Sequence, residues 1–232
     1  MSDGRTPNPL VTVVVAVLNG EPFLARALRS ILAQDYSPLE ILVVDGRSTD
    51  RTEAIARSFP GVRFLVQPGT GIPDAYNHGW ANAQGEFIAF LSCDDEWVPH
   101  KLSTQVAYLL GHPEVQVSLA HAHYVLDPGC RVPPGFRTEL LDGSHPGAME
   151  TLVARKDALG LVGSFDRSYR TAEDLDWVAR ARDAGIGLAR LSEALLIKHI
   201  HDSNLSLQWL ENNRLILKLL RDSIARKQRA DS

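Results

Sequence analysis

The sequence predicts an α/β protein: a central, mostly parallel sheet flanked by helices. Three observations predict it. Leu10–Leu18 (LVTVVVAVL) is a near-continuous β-branched run, the pattern of a strand buried on both faces. Apolar runs of the same kind recur at Leu39–Asp45 (LEILVVD) and Phe87–Leu91 (FIAFL). Amphipathic stretches with short links lie between them, and strands alternating with helices read as βαβ units.

Each element has a local reason. Asn19-Gly20-Glu21-Pro22 breaks the first strand, and Pro22 suits the first position of a helix. Leu24, Ala27, Leu28 and Ile31 then recur at helical spacing, so that helix lays one face on the sheet. Asp50 and Glu53 are spaced as a capping box opening a helix through about Ser58. Val62–Val66 reads as a third strand, Ile72–Ala83 as a helix and Phe87–Leu91 as a fourth strand. After Asp95 the alternation loosens. Lys101–Leu110 reads as helix and Val115–Val125 as extended chain interrupted by His121 and His123. Asp127–Gly135, rich in Pro and Gly, is a loop, and Glu173–Ala184 is a helix with Gly185 just past its end. Leu195–His199 is a last strand, and Leu205–Lys227 a helix with Leu210, Leu217, Leu220 and Ile224 on one side. No internal repeat or low-complexity segment is present.

Bulk properties exclude several classes. The 232 residues suit one large domain or two small ones, and 44% hydrophobic with 22% charged residues is ordinary globular composition. A net charge of -4 lacks the basic surplus of a nucleic-acid binder, so no nucleic-acid partner is expected. Cys93 and Cys130 neither form a disulfide framework nor sit at zinc spacing. The N-terminus is not basic-then-apolar, and no run approaches the about 18 apolar residues of a spanning helix. The expected location is cytoplasmic.

The chemistry gathers at strand ends. Phe87-Ile-Ala-Phe-Leu-Ser-Cys-Asp94-Asp95-Glu96-Trp97 is an apolar run ending abruptly on adjacent carboxylates. Paired acids at the carboxyl end of a buried strand offer hard-cation ligands beside the crevice where open α/β sheets bind ligands. The plain alternative is an acidic turn with Asp95 capping a helix. Asn19 ends the first strand and Asp45 the second, on the same edge as Asp94 and Asp95, and that convergence favours a ligand site. Asn19 and Ser48 also suit turn or cap chemistry. Asn19-Gly-Glu-Pro matches neither GxGxxG nor GxxxxGK[ST], which argues against a dinucleotide oxidoreductase or a P-loop enzyme. A divalent cation on Asp94/Asp95 is then the available means of neutralising bound phosphates.

VTVVVAVLNGEPFLARALRSILAQDY, LEILVVDGRSTDRT, GIPDAYNHGWANAQGEFIAFLSCDDEW and TAEDLDW together resemble a family 2 inverting glycosyltransferase of the GT-A fold, over roughly residues 10 to 200. Gly71–Gly79, containing Asn77, is similar to the subgroup acting on bacterial cell-surface polysaccharides and glycolipids. The resemblance implies a nucleotide-diphosphate sugar donor, a saccharide or lipid-linked acceptor, and Mn²⁺ or Mg²⁺. It places Val17 and Asn19 against the nucleotide base, Asp45 on its ring, Asn77 in the donor site and Asp94 near the ribose. It makes Asp95 the main metal ligand, Asp174 the general base, and His199 or His201 a contact to the metal or diphosphate. The implied organisation is a tail at 1–9, one domain at 10–204 with a nucleotide half to about 98 and an acceptor half from about 99, and a C-terminal amphipathic helix and tail at 205–232. Two departures stand out. Arg47 follows Gly46 where the family has Gly or Ala, and either reaches the phosphates or, the favoured reading, points to water; Ser92 replaces a frequent third acid, which would weaken metal binding.

Glu173, Asp174 and Asp176 crowd one helix start, where the dipole stabilises carboxylates. Asp174 and Asp176 cannot share a face, so one is expected at the crevice and the other in solvent. His121 and His123 share one strand face, either solvent-facing or lining an acceptor cleft, and His145 is an acceptor-side candidate. Trp97 is expected to pack beneath the acid loop. Lys218, Arg221, Arg226, Lys227 and Arg229 beside apolar residues fit a peripheral membrane contact, a cover for the sheet or a homodimer contact. The rival readings are a nucleotide-sugar binding module without transfer activity and a sugar nucleotidyltransferase; the latter usually needs a glycine- and lysine-rich loop that this chain lacks.

Overall fold

A computed structural model describes residues 7–134, 136–169, 171–201, 204, 218–226 and 228. Four parallel strands form one half of the sheet: β1 (Val11–Val17), β2 (Leu39–Asp45), β3 (Val62–Val66) and β4 (Phe87–Ser92). The apolar runs of β1, β2 and β4 are largely buried because helices cover both sides, whereas β3, at the sheet edge, is only partly covered. The order continues through shorter or mixed partners, β8 (Val153–Arg155), β6 (Val117–Leu126), β9 (Leu188–Ile200) and β5 (Glu96–Trp97), giving β3-β2-β1-β4-β8-β6-β9-β5. The strand β7 (His145–Pro146) pairs with β6 off this path.

Two apolar layers enclose the sheet. On one face Val11, Val13 and Val15 meet Leu24, Leu28 and Ile31 of α1 (Leu24–Leu32) and Leu102, Val106 and Leu109 of α4 (Lys101–Gly111). On the other, Val14, Leu42, Val44 and Phe90 meet Tyr76 of α3 (Ile72–Asn82), Leu159 of α5 (Lys156–Val162) and Trp177 of α6 (Glu173–Asp183). Alternate β1 residues thus serve opposite layers, as a strand's period of two requires. At Gly79 a Cβ would lie 2.3 Å from a Val14 methyl, so α3 reaches the sheet only because that residue has no side chain.

Several local expectations are corrected. The capping box does not close. Asp50 accepts the Thr52 N–H at 3.0 Å, whereas Glu53 turns to Arg57 at 2.8 Å on the exposed side of α2 (Thr52–Arg57). Pro22 lies in the turn before α1, which begins at Leu24. The last strand runs from Leu188, well before Leu195, because β6 pairs with it along nearly its whole length. Of the expected C-terminal helix, residues 205–217 lie outside the described residues, and 218–226 are helical. That segment faces α6: Arg226 meets Asp183 at 2.8 Å, and Lys218 sits 3.7 Å over the Tyr169 ring. Leu220 and Ile224 are exposed. Among the described residues, no helix is long and apolar enough to cross a membrane.

Candidate active site

Register sets the site's edge. Val17 stands opposite Asp45 and Ala16 opposite Ser92, so β1, β2 and β4 end level and deliver their turns side by side. There Asp45 accepts the N–H groups of Arg47 and Ser48, each at 2.9 Å, and the Ser48 hydroxyl at 2.5 Å. Asn19, at φ 52, accepts the Thr49 N–H at 2.9 Å, while its own N–H donates to Ser48. Turn chemistry therefore accounts for the present partners of Asn19, Ser48 and Asp45. Val17 is buried, and Leu18 beside it is the exposed residue, at 61%. Arg47 is exposed, as expected, yet tied down. Its guanidinium donates to the carbonyls of Pro68 and Gly69 at 2.8 and 2.9 Å, clamping the turn after β3.

The adjacent acids at the end of β4 differ sharply. Asp94 is partly exposed; its Oδ2 meets the His201 ring at 3.2 Å and the Asn204 amide at 3.1 Å. Burial pushes the Asp94 carboxyl up, but the His201 hydrogen bond and the nearby Lys198 charge outweigh it and hold it below its ordinary value. Asp95 has no exposed surface. One of its oxygens accepts the Lys198 ammonium at 2.8 Å and the other the His199 N–H at 3.0 Å. The expected principal metal ligand is thus turned inward onto a lysine. Lys198 also reaches Glu150 at 3.2 Å, and Glu150 accepts the Ser92 hydroxyl at 3.0 Å. Burial pushes the Lys198 ammonium down, yet Asp95 and Glu150 raise it well above its ordinary value. It stays a cation.

The His199 ring faces away from this pair. Its Nδ1 meets Asp127 at 2.6 Å and its Nε2 meets Glu96 at 2.8 Å. Arg26 completes the brace, donating to Asp127 at 3.1 Å and to the Asp94 carbonyl at 2.9 Å. His199 therefore holds the acid loop through its backbone N–H on Asp95 and its ring on Glu96, and His201 is the histidine beside Asp94.

Asp174 opens α6, partly buried. Burial and then the Glu150 charge push its carboxyl up to about 6, while Lys198 acts in the opposite direction. Glu150 and Lys198 thus link Asp174 electrostatically to the acid loop. Glu173 is buried and pushed up to about 8, first by burial and then by Asp174. Asp176 was expected in solvent or at the crevice; it is 2% exposed and tied to Arg180 at 2.8 Å. Ala172 precedes the helix at φ 139, a strained conformation for a residue with a Cβ.

Other candidates have structural partners. Asn77 donates to the Phe165 carbonyl at 2.9 Å and accepts its N–H at 2.8 Å, so both ends of the amide pin one loop. His123 and His145 meet the carbonyls of Gly143 and Asp142, each at 2.8 Å, and His121 lies 3.4 Å from Ser144. Trp97 is buried as expected; its indole donates to the Glu150 carbonyl at 2.8 Å. Lys198 and Glu150 escaped sequence reasoning. The one available signal was a lysine inside the apolar run Leu195-Leu196-Ile197-Lys198.

Residues 12–138 match the family model "Glycosyl transferase family 2". The chain belongs to glycosyltransferase family 2. A glycosyltransferase of Rickettsia typhi is 30% identical over 228 residues, covering 89% of this chain and 70% of that one. Two solved structures share the fold. The mannosyltransferase PcManGT from Pyrobaculum calidifontis, in complex with GDP-Man and Mn²⁺, aligns at TM-score 0.73 and 21% identity, over 95% of this chain and 65% of that one. Staphylococcus aureus TarS 1–349, in complex with UDP-GlcNAc, aligns at TM-score 0.69 and 21% identity, over 86% of this chain and 61% of that one. The glycosyltransferase thus spans less than two thirds of the length of either solved chain.

Among the described residues no group of three or more His, Cys, Asp or Glu side chains is placed to hold a metal. Asp94 and His201 nevertheless pair a hard oxygen with an imidazole nitrogen, a set that suits Mn²⁺, and the carboxylate suits Mg²⁺. Such ions commonly take one or two protein ligands and complete their shell with phosphate oxygens and water. The residues fit on those terms.

Proposed function

We propose that this glycosyltransferase moves a sugar from a nucleotide-diphosphate sugar to an acceptor hydroxyl with inversion, aided by a divalent cation. The observation that carries the reading is the half-buried carboxylate of Asp174, which shares Glu150 and Lys198 as charged neighbours with the acids at the end of β4. A carboxylate raised to about 6 is ionised at neutral pH yet basic enough to take a hydroxyl proton. In the proposed reaction Asp174 accepts that proton as the acceptor oxygen bonds to the anomeric carbon. The bond to the diphosphate breaks on the opposite face, and the nucleoside diphosphate leaves with the electron pair. Asp94 and His201 would hold Mn²⁺ or Mg²⁺, which supplies charge neutralisation for the departing diphosphate. Val17, Asn19 and Asp45 border the donor crevice, with exposed Leu18 as a further surface for a base. Asn77 would act by holding the Phe165 loop.

The acceptor is a saccharide or lipid-linked saccharide of cell-surface polysaccharide synthesis, a reading supported by the Gly71–Gly79 motif. Residues 10–204 would form the catalytic unit, working at the cytoplasmic side. Residues 205–232 would contribute a peripheral membrane or homodimer contact, supported by exposed Leu220 and Ile224. The test is release of nucleoside diphosphate from UDP-GlcNAc or GDP-Man with Mn²⁺ across an acceptor panel, with the product anomer read by NMR. Retained configuration would sink the inverting mechanism. Donor binding without release from any acceptor would leave only a binding module.

A further inference from the structure

We infer that Asp74 is a positioning residue whose carboxylate ties the Asp45 turn, through Gly69, to the segment leading into Asp174, through Arg167. The inference rests on the sugar-transfer reading for its purpose. The Asp74 side chain is 1% exposed, and a carboxylate so buried needs partners. It divides them between two segments. One oxygen accepts the Gly69 N–H at 2.6 Å, and the other meets the Arg167 guanidinium at 2.5 Å. A Cβ at Gly69 would lie 2.7 Å from that carboxylate, so the approach requires glycine there. The carbonyls of Pro68 and Gly69 go to Arg47, whose own N–H is held by Asp45. One end of the tie is therefore the Asp45 turn. The other end is the chain ahead of α6. Arg167 lies two residues beyond Phe165, whose N–H and carbonyl both bond to Asn77, so α3 grips this segment twice. From α6, Trp177 and Arg180 hold the carbonyls of Gly163 and Ser164 at 3.1 and 2.8 Å. Helix α6 is thus fastened to the segment, and the segment to α3 and the Asp45 turn. An ion pair whose arginine side chain is 68% exposed adds little stability, so its worth lies in placement. A catalytic group displaced by about 1 Å can lose roughly 10²-fold in rate.

The test uses the full chain and begins with the exposed arginine, whose loss should spare the fold as read by circular dichroism. Arg167→Met should lower kcat about ten-fold or more, while calorimetry gives a Kd for UDP or GDP within about two-fold of the parent. Parental kcat would overturn the inference. So would a matching loss of nucleotide affinity, which would make Arg167 a direct donor ligand. Arg167→Lys restores the charge without the planar fork and should recover part of the turnover. Asp74→Asn keeps an oxygen for Gly69 and should act in the same direction as Arg167→Met. Amide hydrogen exchange reads the tie without turnover. Arg47→Met disturbs only its far end, yet should speed exchange of the Phe165, Ser168 and Tyr169 amides about three-fold or more. Arg167→Met should do the same to the Gly69 amide. Parental exchange at the far end in either variant would overturn the tie. A parent that shows this two-way exchange pattern but releases no nucleoside diphosphate with any acceptor would remove the sugar-transfer reading and leave the tie standing.

Discussion

The two halves of the sheet satisfy their polar groups in different ways. Along β1 and β2 the strand ends are closed by backbone: Asp45 takes N–H groups two and three residues on, and Asn19 and Arg47 bond to the main chain of neighbouring turns. Along β4, β5 and β9 the partners are side chains from distant segments. Asp94 meets His201, Asp95 meets Lys198, and Glu96 meets His199, at separations of 103 to 107 residues. Backbone partners fix a turn's shape whatever the charge state, whereas side-chain ion pairs hold only while each partner keeps its charge. The first half is therefore a platform, and the second is where charge can do chemistry.

The largest test of that division is Asp174→Asn. Turnover should fall by roughly 10²- to 10⁴-fold, the usual worth of a general base, while the melting temperature and nucleoside diphosphate binding hold. A variant with parental turnover would move the base elsewhere, with Glu173 the next candidate. Trp177→Ala should cost about 3–5 kcal/mol and Leu28→Ala about 2–5 kcal/mol, measured by denaturant titration, because each empties one of the two apolar layers. Both variants should still unfold in a single transition. A split transition in either would show that the halves fold separately. Next comes pH. Because the Asp174 carboxyl is raised from 3.8 to about 6, and the proposed base would act only when ionised, kcat/KM should fall about ten-fold per unit below about pH 6. An acid limb near pH 4 would show that burial and Glu150 do not tune it. The smallest effect belongs to the platform: Asp45→Ala should cost on the order of 1–2 kcal/mol, since water can reach the freed N–H groups in part. Loss of donor affinity beyond that in calorimetry would give Asp45 a direct ligand role.

The parallel half was legible in the sequence because its strands are unbroken apolar runs and its helices are amphipathic. Beginnings and ends agree within a residue or two for β1 to β4. The other half hid for physical reasons. Val153–Arg155 is too short to show a period, and Arg190, Ser192 and Glu193 mask the first part of β9. The acids at the end of β4 were visible, but which of them faces inward was not. That choice is made by Lys198 and Glu150, which approach Asp95 only through tertiary pairing. Asp176 was misassigned for a different reason: it is buried against the rest of the fold, with its local partner Arg180 one helical turn on.

Ala172 gives the molecule a small lever. Its backbone sits where glycine would rest without cost, so the alanine methyl group makes this conformation a strained one two residues before Asp174. Ala172→Gly would remove that strain and free the chain before Asp174 while leaving every charged group in place, separating backbone stiffness from acidity in the role proposed for that carboxylate.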